Sequence, residues 1–543
     1  MYFVIIMAFA LVLSDNMPPE PCNFFQGRSY HLPGVYWGTV AIAIGQILAI
    51  AGYALWMRRG TIKLLDGTPK GHDDATDEYG WFQHILLFVL SGFLILTVVC
   101  TPWTQIVRHA WQLGRYPLVG DLVILAPLFI SLTVLWILNY SVELRLRAEA
   151  LAGAHAHDDG AASRDMADAR INNATAALNA SVHRSTLARL SLRDYLVDKF
   201  RHQVLILAAP MCIIVFAKHF INQYGPVWFN LPRDHLMRDI ILNTALGTVS
   251  VSVLVISPWL LRLIWATEPL PAGPLRDRFE AMCKRIGLRY REILLWHTHG
   301  STVNAAVMGF LPPIRYILVS DALLETMEDD EIEAVFGHEA GHVQHWHLPF
   351  FGAFAVVSMY IAGGVMHLLY YLDSHFKQIS IDNSMLQLSA LASLLLMWLF
   401  GFAWLARKFE RQADLYGVRV ITPDVHGCVA VCSVHGETRK QGICVSAANI
   451  FGRTLAKIAD LNGIPREAPS WRHGSIESRC RLIERFVGDE ETLRKFDRKL
   501  MVIKTGLLVA VIIGSVLAVL IYYEPVMQAI QGRGARGVGP RFF

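Results

Sequence analysis

The sequence has little charge for its length. Only 17% of its 543 residues are Asp, Glu, Lys or Arg, and the formal net charge is +4, whereas a soluble protein carries about 25% charged residues. The basic residues are not massed in tracts, so nucleic acid is not an expected partner. Eight cysteines are spread from Cys22 to Cys480 with no CxxC pair and no dense framework, so neither a disulfide scaffold nor a zinc finger is indicated. No internal repeat is visible. What the chain does have is apolar residues, 54% of the total, with a mean hydropathy of +0.38. A wholly soluble or disordered chain is therefore excluded, and the length is too great for one ordinary domain.

A bilayer core needs about 20 apolar residues at 1.5 Å rise. Stretches of that kind occur at 35–56, 81–101, 118–139, 203–222, 238–265, 348–372, 385–406 and 501–523. They predict eight spans, of which the fourth ends on Lys218 and His219 and the fifth contains Pro258. The apolar run Met1 to Ser14 is short and lacks a basic start, and it reads equally as a signal-like segment, a short extra span or a product of an upstream start site. Segments 57–80, 141–202, 266–347 and 407–500 hold 4, 9, 7 and 17 Lys plus Arg, against 2, 1 and 1 in 102–117, 223–237 and 373–384. Because basic loops stay on the cytosolic side, 266–347 and 407–500 should share that side, joined by a hairpin of spans. The expected organisation is a leading segment 1–34, a membrane domain 35–265, a soluble domain in two parts (266–347 and 407–500) around the hairpin 348–406, a last span 501–523 and a disordered tail 524–543. The loop 141–202 is expected to extend a helix over Ser141 to Leu151 and then to loosen around His155 to Ser163. Its sequons at Asn173 and Asn179 fall on the inner side, so glycosylation is not expected.

In the first soluble part, 274–287 has the period of an amphipathic helix stopped by Gly287, and Glu292 to Trp296, Thr302 to Val307 and Tyr316 to Ser320 are strand-like. A further helix is expected from near Thr326, with Asp329 completing a cap. It carries His338-Glu339-Ala340-Gly341-His342. Two His four residues apart lie one above the other on a helix, so both imidazoles can reach one Zn²⁺, while the Glu beside the first can act on water at the metal. Glu339 falls at the centre of the apolar face made by Ile332, Val335, Phe336 and Val343, a costly place for a carboxylate without a task. A water-activating metal needs a third protein ligand and an open position. Glu410-Arg411-Gln412-Ala413-Asp414, just after the hairpin, offers Glu410 as that ligand and Asp414 as an acceptor orienting a ligand ring. His345 and His347 read as interfacial, and Cys428, Cys432 and Cys444 with His426 and His435 as core packing.

In this order of helix, small sheet, HEAGH helix, membrane hairpin and ExxxD, the chain resembles the integral-membrane zinc metallopeptidases of the CAAX prenyl protease and HtpX heat-shock protease type, over about 270–490. The resemblance implies a mainly α-helical multi-pass membrane protein with a small α+β zincin-like domain. It implies one zinc on His338, His342 and Glu410, with Glu339 as catalytic base. Asn304 and Ala305 match the family's Asn-Ala element on a strand above the active-site helix, and would hold substrate. His473, in Trp471-Arg472-His473-Gly474-Ser475, matches its late His, with Gly474 in place of the usual Pro. His473 is expected to donate to the oxyanion and Arg479 to pair with Asp414. The expected activity is endopeptidase cleavage of membrane-associated proteins or peptides. A non-catalytic zinc-binding scaffold would require a closed ligand set, and a transporter would require ionisable residues within the spans.

Overall fold

The computed structural model describes residues 31–67, 70–116, 118–161, 191–228, 235–298, 302–309, 311–376, 383–421, 443–462, 464–487 and 489–530. The run Met1 to Ser14, the sequons at Asn173 and Asn179, the group His426, Cys428, Cys432 and His435, and the end of the tail lie outside them. The chain divides into two compact units, one ending at Trp265 and the other beginning at Ala266.

The first unit is helical. Its long elements are α1 (Pro33–Leu65), α2 (Lys70–Val99), α3 (Ala126–Ala161), α4 (Leu192–Lys199), α5 (Ile206–Trp228) and α6 (His235–Ile264). Helices α1, α2 and α3 share a core that includes Ile50, Leu86, Leu90, Leu132 and Trp136. The helix α3 continues to Ala161, through most of the stretch His155 to Ser163 that is expected to loosen, and the Ala-rich run there suits helix. The fourth expected span is a bent pair, 192–205 and 208–228, meeting at 47° through a π-helical stretch at Phe200–Leu205, with Pro210 following inside α5. Among the described residues seven helices are long and apolar enough to cross a membrane, or eight with the bent pair taken as one span. The protein is a mainly α-helical, multi-pass integral membrane protein.

The second unit contains a four-stranded sheet in the order β1 (Thr267–Pro269), β2 (Glu292–Trp296), β4 (Tyr316–Ser320), β3 (Ala305–Met308). Strands β2 and β4 are parallel and the outer pairings antiparallel. Every residue of the central strand β4 is buried, which explains its unbroken Tyr-Ile-Leu-Val-Ser run. Two details differ from the sequence reading. Strand β1 is only three residues long and ends in proline, a weak signal that suits an edge. Residues 302–304 lie before β3, where the Asn462 side chain pairs with the Val303 backbone, donating to its carbonyl and accepting from its N–H.

Helix α7 (Pro274–Ile286) starts on its proline and stops at Gly287, whose φ of 67° places it in the left-handed region. After the short α8 (Asp321–Thr326) comes α9 (Asp329–Gln344), which carries the HEAGH residues. Its start is later than expected. Thr326 closes α8, its hydroxyl donating to the Ala322 carbonyl, and the cap is made by Glu328, whose N–H donates to the Glu331 carboxylate. The rest is α10 (His347–Phe376), α11 (Asn383–Leu396), α12 (Ala403–Ile421), α13 (Val445–Leu461), α14 (Ile476–Phe486) and α15 (Glu490–Ile530), the last of which carries helix through 524–530, where disorder is expected, because the apolar helix of the span continues past residue 523.

Candidate metal centre and active site

Glycines bring α9 and α12 together. A Cβ on Gly341 would sit 3.0 Å from Ala413 Cα, one on Gly337 3.1 Å from Gly417 Cα, and one on Gly417 3.0 Å from the His338 nitrogen. Such contacts bring the two backbones close enough for short side chains to bridge them. Glu410 and Asp414, one turn apart on α12, therefore face His338 and His342, one turn apart on α9.

The result is a converging donor set. His338 Nε2 lies 3.5 Å from Glu410 Oε2, His342 Nε2 lies 3.5 Å from Glu410 Oε1, and the two Nε2 atoms are 3.3 Å apart. One donor atom from each of the three residues falls within 4.8 Å of the others. Glu410 is 5% exposed, and no donor meets its Oε2 with hydrogen-bond geometry. Two imidazoles and an under-satisfied buried carboxylate fit a divalent cation of the zinc type. Burial opposes charge on His338, but the neighbouring Asp414 and Glu410 carboxylates outweigh this and raise its pKa. Burial and the neighbouring His338 charge lower that of His342.

Residues 269–458 match the model of peptidase family M48. The matched segment carries both the HEAGH and the ExxxD residues. Over 166 residues the chain is 25% identical to a CAAX prenyl protease 1 homolog of Arabidopsis thaliana, covering 28% of this chain and 38% of that protein. Over 91 residues it is 31% identical to a protease HtpX homolog of Aeropyrum pernix, covering 16% and 28% respectively. The chain thus spans well under half the length of these curated relatives. A crystal structure of Ste24p from S. mikatae aligns over 82% of this chain and 98% of its own, at 17% identity and a TM-score of 0.36, too low to carry an argument.

Beside the converging donors, Asp414 is fully buried and its Oδ1 lies 2.9 Å from His338 Nδ1. Arg479 donates to both Asp414 oxygens at 2.9 and 2.5 Å. This is a buried ion pair, and removing one partner strands the other charge. Arg479→Met is expected to destabilise the fold by roughly 3–5 kcal/mol, measured as a lower thermal midpoint in detergent, with much of the loss recovered in Arg479→Met/Asp414→Leu.

Glu339 stands outside the ligand set. Its carboxylate accepts from the N–H of Val307, on the edge strand β3; burial raises its pKa, offset in part by His338, and Glu410 adds to the rise. Asn304 is exposed immediately before β3, exchanging contacts with Ser320: its N–H donates to Ser320 Oγ and its carbonyl accepts from the Ser320 N–H. Ala305 opens the strand, paired with Val319.

His473 Nδ1 lies 2.9 Å from Glu410 Oε2, and the ring is half exposed. Its loop is pinned to α12 and the segment before it. A π-helical stretch at Met397–Phe402 precedes α12, the Leu399 carbonyl accepts from the Trp471 indole at 2.9 Å, and Arg407 donates to the Trp471 carbonyl at 2.8 Å. Gly474 has φ 76°, which proline cannot adopt. The departure from the family's His-Pro is therefore a different loop turn.

His347 requires a correction. Read as interfacial, it is 1% exposed, stacked on Phe409 at 4.4 Å and 4°, with Nδ1 2.9 Å from His342 Nδ1 and Nε2 3.0 Å from Gln412 Oε1. Helical periodicity could not find it, because the chain breaks at Trp346, which has φ 58°, and turns His347 back over the preceding helix. His345 packs edge-on against Tyr416 instead.

Proposed function

We propose that the second unit is a zinc-dependent endopeptidase that cleaves membrane-associated proteins or peptides from the cytosolic side. The observation that carries this reading is the separation of roles on one helix. His338 and His342 point with Glu410 to a common centre, while Glu339 stands outside that set against the edge of β3. His338, His342 and Glu410 would hold the zinc, with Asp414 and Arg479 fixing the His338 ring. A bound zinc would supply Lewis acidity, making water more acidic and polarising the scissile carbonyl. Glu339 takes the proton from the attacking water and passes it to the leaving amine, a role its raised pKa suits. His473, solvent-facing and beside Glu410, donates to the developing oxyanion. The edge of β3 with Asn304 and Ala305 holds an extended peptide by strand pairing. The cytosolic placement rests on the excess of Lys and Arg in 266–347 and 407–500.

The test is cleavage of casein or a detergent-solubilised membrane protein by the purified chain, followed by mass spectrometry of the products, before and after chelation and zinc re-addition. Cleavage that stops on chelation and returns with zinc supports the reading. Stoichiometric zinc without cleavage of any substrate tried would favour a scaffold. Within the same assay, His473→Ala should lower kcat about 100-fold, as loss of one oxyanion donor does, with KM and zinc content little changed. Loss of zinc on that substitution would make His473 a ligand instead.

A further inference from the structure

The C-terminal helix α15 reaches Gln412, between the two carboxylates of α12. Its Lys504 Nζ donates to the His345 carbonyl at 2.8 Å and to Gln412 Oε1 at 3.0 Å. The ammonium also lies over the rings of Phe350 and Phe409, 5.2 and 5.3 Å from their centroids. An ammonium has donors only. The Gln412 atom facing it is therefore the amide oxygen, and the same oxygen lies 3.0 Å from His347 Nε2. Facing an acceptor, His347 Nε2 carries the ring proton, and Nδ1 is then an acceptor. His347 Nδ1 is 2.9 Å from His342 Nδ1, so His342 holds its proton on Nδ1 and keeps the lone pair of Nε2, the atom 3.5 Å from Glu410 Oε1. Each step follows from the one before, and the first is dictated by the lysine.

We propose that Lys504 is a positioning residue for the metal ligand His342, setting its tautomer and ring orientation through Gln412 and His347. This rests on the metal reading of the site. The two imidazole ligands then have separate anchors, His338 through Asp414 and Arg479 and His342 through His347, Gln412 and Lys504. The second anchor is seated on a membrane-spanning helix, so the placement of the last span bears directly on the metal.

The test uses the full chain purified in detergent and Co²⁺ as the probe, its affinity taken from titration and its ligand geometry from the visible absorption band. Lys504→Met should weaken Co²⁺ binding about tenfold, the low end for groups that orient a ligand, and alter the band. Lys504→Arg, which keeps a donor, should restore most of the affinity. In a His347→Phe background, which preserves the stacking on Phe409 and cuts the path, Lys504→Met should have no further effect. Gln412→Leu interrupts the same path from α12 and should weaken binding by a similar factor, so the proposal stays testable if Lys504→Met fails to fold. Affinity within about twofold of the unaltered protein for either variant, or losses that add in the His347→Phe background, would overturn the relay. An unaltered protein that binds no Co²⁺ would overturn the metal reading and the relay with it.

Discussion

Glu410→Ala is expected to empty the metal site and abolish cleavage. The two imidazoles of α9 would remain, but a pair of neutral nitrogens without the carboxylate offers neither the charge nor the third donor that holds a divalent cation at a catalytic site. Affinity should fall by more than the roughly 100-fold that marks the loss of an orienting group, so zinc measured after dialysis should drop from one per chain to near none. The fold should survive, because Asp414 keeps Arg479 and a buried carboxylate has been removed rather than stranded. The substitution is informative because Glu410 reaches His338 and His342 only through the hairpin formed by α10, α11 and α12 and the close contact of Gly337 and Gly341 with α12. Full zinc content in Glu410→Ala would remove it from the ligand set.

Much of this arrangement was legible in the sequence wherever a local rule applied. The i,i+4 spacing placed His338 with His342 and Glu410 with Asp414 on single helix faces. Gly287 and the apolar run of β4 were equally plain, because a left-handed stop and a buried strand each leave a mark within a few residues. What escaped was tertiary. His347 acquires its place from a left-handed turn at Trp346, a residue that local preference does not put there. Gln412, between the two carboxylates of ExxxD, has no pattern of its own and matters only because His347 and Lys504 meet at its oxygen. Strand β1 is too short to show alternation, and the start of α9 was misread because Thr326 and Glu328 both head acidic stretches that can cap a helix. Lys504 lies within the last expected span, 501–523, and nothing in its own segment shows that it reaches Gln412 of α12.

Glu339→Gln carries the other large effect. Glutamine keeps the size of the side chain and still accepts the N–H of Val307, so fold, strand and ligands should be undisturbed. It cannot take a proton from water at neutral pH, and loss of a positioned general base together with the proton delivery it provides to the leaving amine should cost about 10²- to 10⁴-fold in turnover. Metal content should not depend on it, since the donors that converge are His338, His342 and Glu410. An inactive protein that still binds its substrate would also be expected to retain it uncleaved, which would identify what the enzyme acts on. The most direct measurement is therefore zinc per chain and cleavage rate, taken on the same preparations of unaltered and Glu339→Gln protein. The expected result is one zinc per chain in both, with the rate of the variant lower by at least about 100-fold; equal rates at equal zinc would contradict the assignment of a water-activating peptidase site.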